Sequence, residues 1–205
     1  MRSIHIHFSF LLATALFVAG CVRSPNLSRL PVAAAAGSPN IRMIEVNAVQ
    51  GHAFVDDDVY QFLTPENARI EISLSEQRAR IFAGDRIAID TPIATGVAAH
   101  PTPSGSFTIL EKKTYHESSL YGNYVDANGQ IVLRDVSSRV NKAPPASRWV
   151  GTPVPFWQRL TWDGVGMHVG KLPGYPASHG CLRFPSTVMP LIFARTRVGT
   201  PVEIY

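Results

Sequence analysis

Between Ala68 and Thr95 apolar and polar residues alternate, break and alternate again, and this period of two limits what the chain can fold into more than any other feature. A strand sends successive side chains to opposite faces, so Arg69-Ile70-Glu71-Ile72-Ser73-Leu74 predicts one apolar and one polar face. Ala79-Arg80-Ile81-Phe82 predicts its partner across a turn at 75–78, and Ile87-Ala88-Ile89 with Ile93-Ala94-Thr95 continues the sheet. Val202-Glu203-Ile204-Tyr205 predicts a closing strand. Before it, Ser186 or Thr187 is placed to cap a short helix that holds Pro190 in its first turn and stops at Gly199. Met43 to Val49 also alternates like a strand, whereas Asp56-Asp57-Asp58 reads as a solvated loop. From Glu111 to Arg159 the chain reads as long and irregular, with a turn at Asp126-Ala127-Asn128-Gly129 and a breaker at Ala143-Pro144-Pro145. The whole predicts a mainly β domain with a few short helices.

The first residues carry a different signal. Arg2 is the one charge in residues 1–20 apart from histidines, and Phe8 to Val18 is an apolar run too short for a membrane span but suited to a signal-peptide core. Val18-Ala19-Gly20-Cys21 resembles a bacterial lipobox, in which the cysteine is lipidated and becomes the first mature residue; the competing reading is ordinary cleavage with Cys21 left free or in a disulfide. Val22 follows where an Asp would signal inner-membrane retention, so the resemblance implies an exported lipoprotein anchored at the outer membrane. The stretch from Val22 to Asn40, rich in Ala, Ser, Pro and Gly, reads as a flexible spacer. The expected organisation is a signal peptide at 1–20, a lipidated Cys21 and spacer with a possible N-terminal strand at 21–66, and a catalytic domain at 67–205.

Two cysteines are present, and if Cys21 carries the lipid then Cys181 has no partner within the molecule. A lone thiol in an oxidising compartment is a liability unless it is used. A Cys21–Cys181 disulfide, the alternative, would tie a flexible tail to a loop of catalytic composition. Cys181 stands in Ser178-His179-Gly180-Cys181-Leu182-Arg183, with His168 upstream. A thiol near neutral pH is only a few per cent thiolate, so a nucleophilic cysteine needs a base within reach and donors for the developing oxyanion. His168 is the candidate base, expected to draw the thiol's pKa below its free value. His179 either orients the thiol or packs beside it. Gly180 lets the backbone bend so that peptide N–H groups can face a substrate, and Arg183 offers a fixed positive fork two residues beyond the sulfur. Ser178 either fixes the loop by its hydroxyl, contacts substrate, or is only a turn residue.

The run resembles the signature of the L,D-transpeptidases, bacterial cell-wall enzymes with a histidine, a variable spacer, then Ser/Thr-His-Gly-Cys, an apolar residue and Arg or Asn. Here Met167-His168-Val169-Gly170 is followed by Lys171 to Ala177 and then the motif, leaving nine residues between His168 and Ser178. That spacer is shorter than in many members, and Leu172-Pro173-Gly174-Tyr175-Pro176 looks like a compact version of the family loop. Upstream, Ile70 to Gln77 looks like the family's first domain strand, and Pro101-Thr102-Pro103-Ser104-Gly105-Ser106-Phe107 resembles its second hallmark. The resemblance covers roughly 68–205 and implies a β-sandwich with a segment overhanging the active site. It places His116, Tyr121, Gly122, Phe156 and Trp157 near a substrate groove, with Tyr121, Trp157, Ser178 and Arg183 as substrate-binding residues; the alternatives are that each aromatic is a core residue and that Arg183 is an ordinary surface ion-pair partner.

What the resemblance implies chemically is acyl transfer: Cys181 attacks the carbonyl between an L- and a D-centre of a peptidoglycan stem tetrapeptide, D-alanine leaves, and an amine takes the acyl group. The alternatives are a carboxypeptidase or endopeptidase of the same domain, and a non-catalytic peptidoglycan-binding lipoprotein. A thiol oxidoreductase would want Cys-x-x-Cys, which the chain lacks. No cofactor or metal is implied, and carbapenem-type inhibitors are expected to acylate the thiol. Without residues 1–20 the chain keeps 18 basic against 15 acidic residues, a net charge of +3. This suits an anionic polymer such as peptidoglycan and is too small and scattered for nucleic acid.

Overall fold

A computed structural model describes residues 40–205. The signal peptide, Cys21 and residues 22–39 of the expected spacer lie outside the described residues. In chain order the elements are β1 (Ile41–Asn47), β2 (Gly51–Asp56), α1 (Asp57–Tyr60), β3 (Ala68–Ser73), β4 (Arg78–Ala83), β5 (Arg86–Pro92), β6 (Gly105–Thr108), β7 (Glu111–Lys113), β8 (Glu117–Val125), β9 (Ile131–Ser137), β10 (Arg148–Pro153), β11 (Trp157–Arg159), β12 (Gly166–Val169), β13 (Leu182–Phe184), α2 (Met189–Ala194) and β14 (Pro201–Ile204). They form a seven-stranded sheet ordered β1-β2-β5-β4-β3-β14-β6, a four-stranded sheet ordered β13-β12-β11-β7, and a three-stranded sheet ordered β10-β8-β9.

The alternation read from the sequence becomes a row of partners across the large sheet. Val55 pairs with Ile89, Ile89 with Ile81, Ile81 with Ile70, Ile70 with Val202, and Val202 with Phe107. All but Phe107 are fully buried, and each such aliphatic side chain contributes about 1.5–3 kcal/mol by leaving water. Met167 of β12, Leu182 and Phe184 of β13, and Met189 and Ile192 of α2 join Ile70, Ile81 and Val202 in one core. The large and the four-stranded sheets are thus two layers over a shared interior, the expected mainly β sandwich.

Several boundaries differ from expectation, each for a local reason. The expected spacer is not all spacer: β1 and β2 form a hairpin whose Phe54 and Val55 pair with Asp90 and Ile89, so the large sheet begins at Ile41. Asp56 is not in a solvated loop, because its side chain accepts from the Val59 N–H and caps α1, with Asp57 and Asp58 in the acid-favouring first turn. Helix α2 starts from Val188 without a side-chain cap, not from Ser186 or Thr187, and ends at Ala194 short of Gly199. Ile93-Ala94-Thr95 leaves the strand and bridges to the cysteine segment instead, with Ala94 opposite Arg183. The stretch 111–159 is not irregular: it holds five strands, β7 to β11.

Candidate active site

His168 and Cys181 are brought together by β12 and β13, which run parallel with Met167 opposite Leu182 and His168 opposite Arg183. The loop joining these strands returns along the segment after β5. Thr95 O accepts the N–H groups of Ala177 (2.9 Å) and Ser178 (3.0 Å), and Ser178 O accepts that of Val97 (3.0 Å). Thr95 is itself gripped by Gln77, whose amide donates to Thr95 Oγ1 at 2.7 Å and accepts the Thr95 N–H at 3.0 Å. Thr102 makes the second tie, since its hydroxyl donates to Gly180 O at 2.8 Å and accepts the Gly96 N–H at 2.9 Å.

Within the loop Ser178 is buried and spends its hydroxyl on the chain: Oγ donates to Cys181 O at 2.5 Å and accepts the Gly180 N–H at 3.1 Å. The hydroxyl of Ser178 is thus engaged within its own loop, with its one proton given to Cys181 O, while the residue also lines the cavity beside the thiol. The same bond corrects the reading of Gly180, whose N–H is taken and is not an oxyanion donor here. Gly180 serves the loop by its φ of +107°, a conformation that strains any side-chain-bearing residue. Among the described residues the N–H groups of His179 and Cys181 have no partner, and they are the backbone donors left for an oxyanion.

Burial disfavours the charged form of both the candidate nucleophile and the candidate base. Cys181 is half-buried, and its Sγ donates to Gly164 O at 3.5 Å. Burial pushes the thiol's pKa up, against smaller lowering effects of the Gly166 N–H and the cations of Arg183 and Arg159. His168 is 7% exposed and its Nδ1 lies 2.8 Å from Val169 O. A carbonyl only accepts, so Nδ1 carries the proton and Nε2 keeps the free lone pair. Desolvation lowers its pKa from 6.5 to about 4, opposed by the Val169 bond and assisted by Arg183 and His116. At pH 7 the resting pair is therefore thiol and neutral imidazole. The expected lowering of the thiol's pKa is not found, because burial is the largest effect on Cys181 as it is on His168.

These groups line one cavity of about 590 Å³. Its second wall comes from the three-stranded sheet, with Ser118 to Gly122 of β8 and Thr152 of β10, and from His116 just before β8. Tyr121 lies 4.4 Å from His179, ring centroid to centroid and nearly parallel, and His100 lies 5.0 Å from His179. His179 is thus an exposed side chain packed between two rings from other segments, without a hydrogen bond to the thiol among the described residues. Burial, His100 and Arg183 lower its pKa. Trp157 reaches the cavity with one edge but is 3% exposed, its ring 5.2 Å from His116 and 6.2 Å from His168. Phe156, expected at the groove, is not there; it turns through a φ of +55° and packs edge-on against Phe193 of α2 at 5.4 Å.

Arg183 is half-buried beside the cysteine, and no carboxylate pairs with it among the described residues. Arg159, also in the cavity, has Glu111 at 3.4 Å. A partly desolvated, unpaired guanidinium beside a thiol has the chemistry to hold a carboxylate. Sequence reasoning missed Thr102, Gln77, His100 and Arg159. Thr102 and Gln77 had a signal, their places inside the Pro101–Phe107 and Ile70–Gln77 runs; His100 and Arg159 are single polar residues outside the runs that carry the resemblance.

The model of the YkuD L,D-transpeptidase catalytic domain matches residues 67–204. Among solved structures the chain is similar to an L,D-transpeptidase from Mycobacterium smegmatis, at 18% identity and a TM-score of 0.51 over 68% of this chain and 58% of that one. It is also similar to a Xylanimonas cellulosilytica L,D-transpeptidase, at 20% identity and a TM-score of 0.50 over 68% and 60% of the two chains. A third likeness is to an L,D-transpeptidase solved in complex with imipenem, at 19% identity and a TM-score of 0.51 over 68% and 59%. These likenesses are of fold, and the chain spans less than two thirds of each of the three. No curated protein matches the chain.

Proposed function

The chain belongs to the L,D-transpeptidase catalytic-domain family, and we propose that it transfers acyl groups between peptidoglycan stem peptides through a thioester on Cys181. The observation that carries the reading is one cavity holding a half-buried thiol, a neutral imidazole with Nε2 free, and an unpaired guanidinium. As the sulfur attacks the carbonyl between an L- and a D-centre, His168 Nε2 takes its proton and the carbonyl pair moves onto oxygen. The N–H groups of His179 and Cys181 receive that oxyanion, and one such donor is worth about 3 kcal/mol of barrier. The C–N bond then breaks, and the leaving D-amino acid recovers its proton from His168. An amine from a second stem attacks the thioester with His168 again as base, restoring the thiol. Arg183 holds a substrate carboxylate during both steps. Water in place of the amine would turn the same site to hydrolysis.

Because the resting thiol is neutral, the base must act within the attack itself, and a pKa of about 4 keeps His168 available as a base well below neutrality. A carbapenem would enter by the same attack on its lactam carbonyl. Cys181→Ala removes the reacting atom and little volume, so it should abolish acyl transfer and the mass gain from imipenem while the melting midpoint stays near wild type. Retained turnover in Cys181→Ala would sink the reading.

The site of action we infer is the periplasmic face of the outer membrane, on the strength of the sequence from Arg2 to Cys21. Cys21→Ser should leave an uncleaved precursor or a protein no longer in the membrane fraction. A mature variant that still pellets with membranes would overturn it.

A further inference from the structure

The middle of the crossover from β12 to β13, residues 171–176, makes no backbone–backbone hydrogen bond among the described residues. Parallel strands are joined by a dozen or more residues, usually with a helix, yet the chain runs from Gly170 to Cys181 without one. Its start is held by the Gly170 N–H donating to Phe184 O at 3.1 Å, and its end by Ala177 and Ser178 on Thr95. Between them, one polar tie reaches the loop among the described residues. Asn47 Nδ2 donates to Leu172 O at 3.0 Å, across 125 positions of sequence.

Asn47 stands at the end of β1, in a hairpin that precedes the family-matched residues 67–204. Its other side-chain atom builds the turn, since Oδ1 accepts the N–H groups of Val49 (3.0 Å) and Gln50 (2.8 Å). Gln50 Nε2 in turn donates to Ile93 O at 3.0 Å, beside Ala94 and Thr95, which carry the other end of the loop. Val49 lies against the loop as well: a Cβ on Gly174 would stand 2.5 Å from Val49 Cγ1, and Gly174 has a φ of +94°. One turn therefore touches both the compact loop and the segment against which the nucleophile motif is hydrogen-bonded.

We propose that the β1–β2 turn is a brace for the active-site loop and that Asn47 is a positioning residue for Cys181, acting through Leu172. The proposal rests on Cys181 as the reacting atom. Among the described residues Asn47 makes the one hydrogen bond to the middle of this helix-free loop, beside the packing of Val49 on Gly174 and the burial of Leu172, and small misplacements of a reacting group cost large factors in rate.

Asn47→Asp separates brace from turn. It keeps the acceptor that builds the turn but loses the donor to Leu172 O and sets a carboxylate against that carbonyl. The full chain would be assayed for imipenem acylation of Cys181, for iodoacetamide alkylation of the same thiol, and for melting midpoint. A loosened loop moves the two rates in opposite directions: acylation should fall about 10-fold with imipenem binding unchanged, and alkylation should rise about 10-fold as burial of the sulfur is relieved. The midpoint should move little, and Gln50→Ala should act in the same sense but more weakly. Alkylation unchanged in a folded Asn47→Asp protein would overturn the brace whether or not the enzyme takes imipenem. A wild type that is alkylated but never acylated would instead count against the proposed reaction, leaving the alkylation comparison to decide the brace.

Discussion

The two walls of the cavity are built by opposite rules. The cysteine wall is a backbone structure: Thr95, Gln77, Thr102 and Ser178 tie it at nearly every turn, and most of these side chains are buried. The facing wall, from β8, β9 and β10, presents side chains on a sheet that is largely half-exposed or exposed. Its own packing is small, with Tyr124 edge-on to Trp149 at 5.1 Å and Ser138 Oγ donating to Ser119 O at 2.7 Å. The difference teaches which wall is built to hold an atom in place and which is built to adapt. Positions fixed by backbone bonds can hold a reacting atom, whereas a thinly packed sheet can yield to substrates of different shape at low cost.

If the cysteine wall carries the chemistry, the largest loss outside Cys181 itself should come from His168→Gln, which keeps size and polarity but not the base. Turnover should fall by roughly 100- to 10,000-fold. The same variant has a signature in stability. A base whose native pKa lies near 4 against 6.5 when unfolded penalises folding once the unfolded chain takes up a proton. The wild type should therefore lose on the order of 3 kcal/mol as pH falls from about 6.5 to about 4, and His168→Gln should lose correspondingly less over that window. Equal pH dependence in the two proteins, read by urea titration at several pH values, would show that the imidazole is not buried neutral.

Smaller effects should separate the walls. Ser178→Ala leaves the Gly180 N–H and Cys181 O without their partner inside the loop, so kcat and stability should fall together, the latter by about 1–3 kcal/mol. Tyr121→Ala removes a ring stacked on the exposed His179. It should raise KM several-fold and leave melting nearly unchanged. A Tyr121→Ala protein with unaltered KM but depressed kcat would place the facing wall in the chemistry and dissolve the contrast.

What could be read beforehand follows the same division. Strands β3 and β4 were legible because each buries one face, and the period of two is the trace of that burial. Strand β8, with Glu117-Ser118-Ser119-Leu120-Tyr121-Gly122, has no fully buried face over its first half, so nothing in it alternates and it read as irregular. In the site, Cys181, His168 and Arg183 were legible because their spacing is local. The spending of Ser178's hydroxyl on its own loop was one of several readings, and a motif does not say which way an oxygen points. The contacts of Thr102 with Gly180 and Asn47 with Leu172 join residues far apart in the chain, where no pattern of neighbours records them.

The place of β14 bears on how the molecule comes into being. The last strand lies in the interior of the large sheet, with Ile204 opposite Ile72 on one side and Gly105 on the other. Strand β6 is hydrogen-bonded into that sheet through β14 alone. A nascent chain can pair β3, β4 and β5 as soon as they emerge, but the seam between β3 and β6 stays open until Pro201–Ile204 has been made. Closure thus waits on contacts of high sequence separation, the slow kind to form, and the unfinished sheet meanwhile exposes the edge of β3 to other chains. Pro201–Ile204 thus decides whether the seam between β3 and β6 closes or leaves a strand edge open to pairing with another chain.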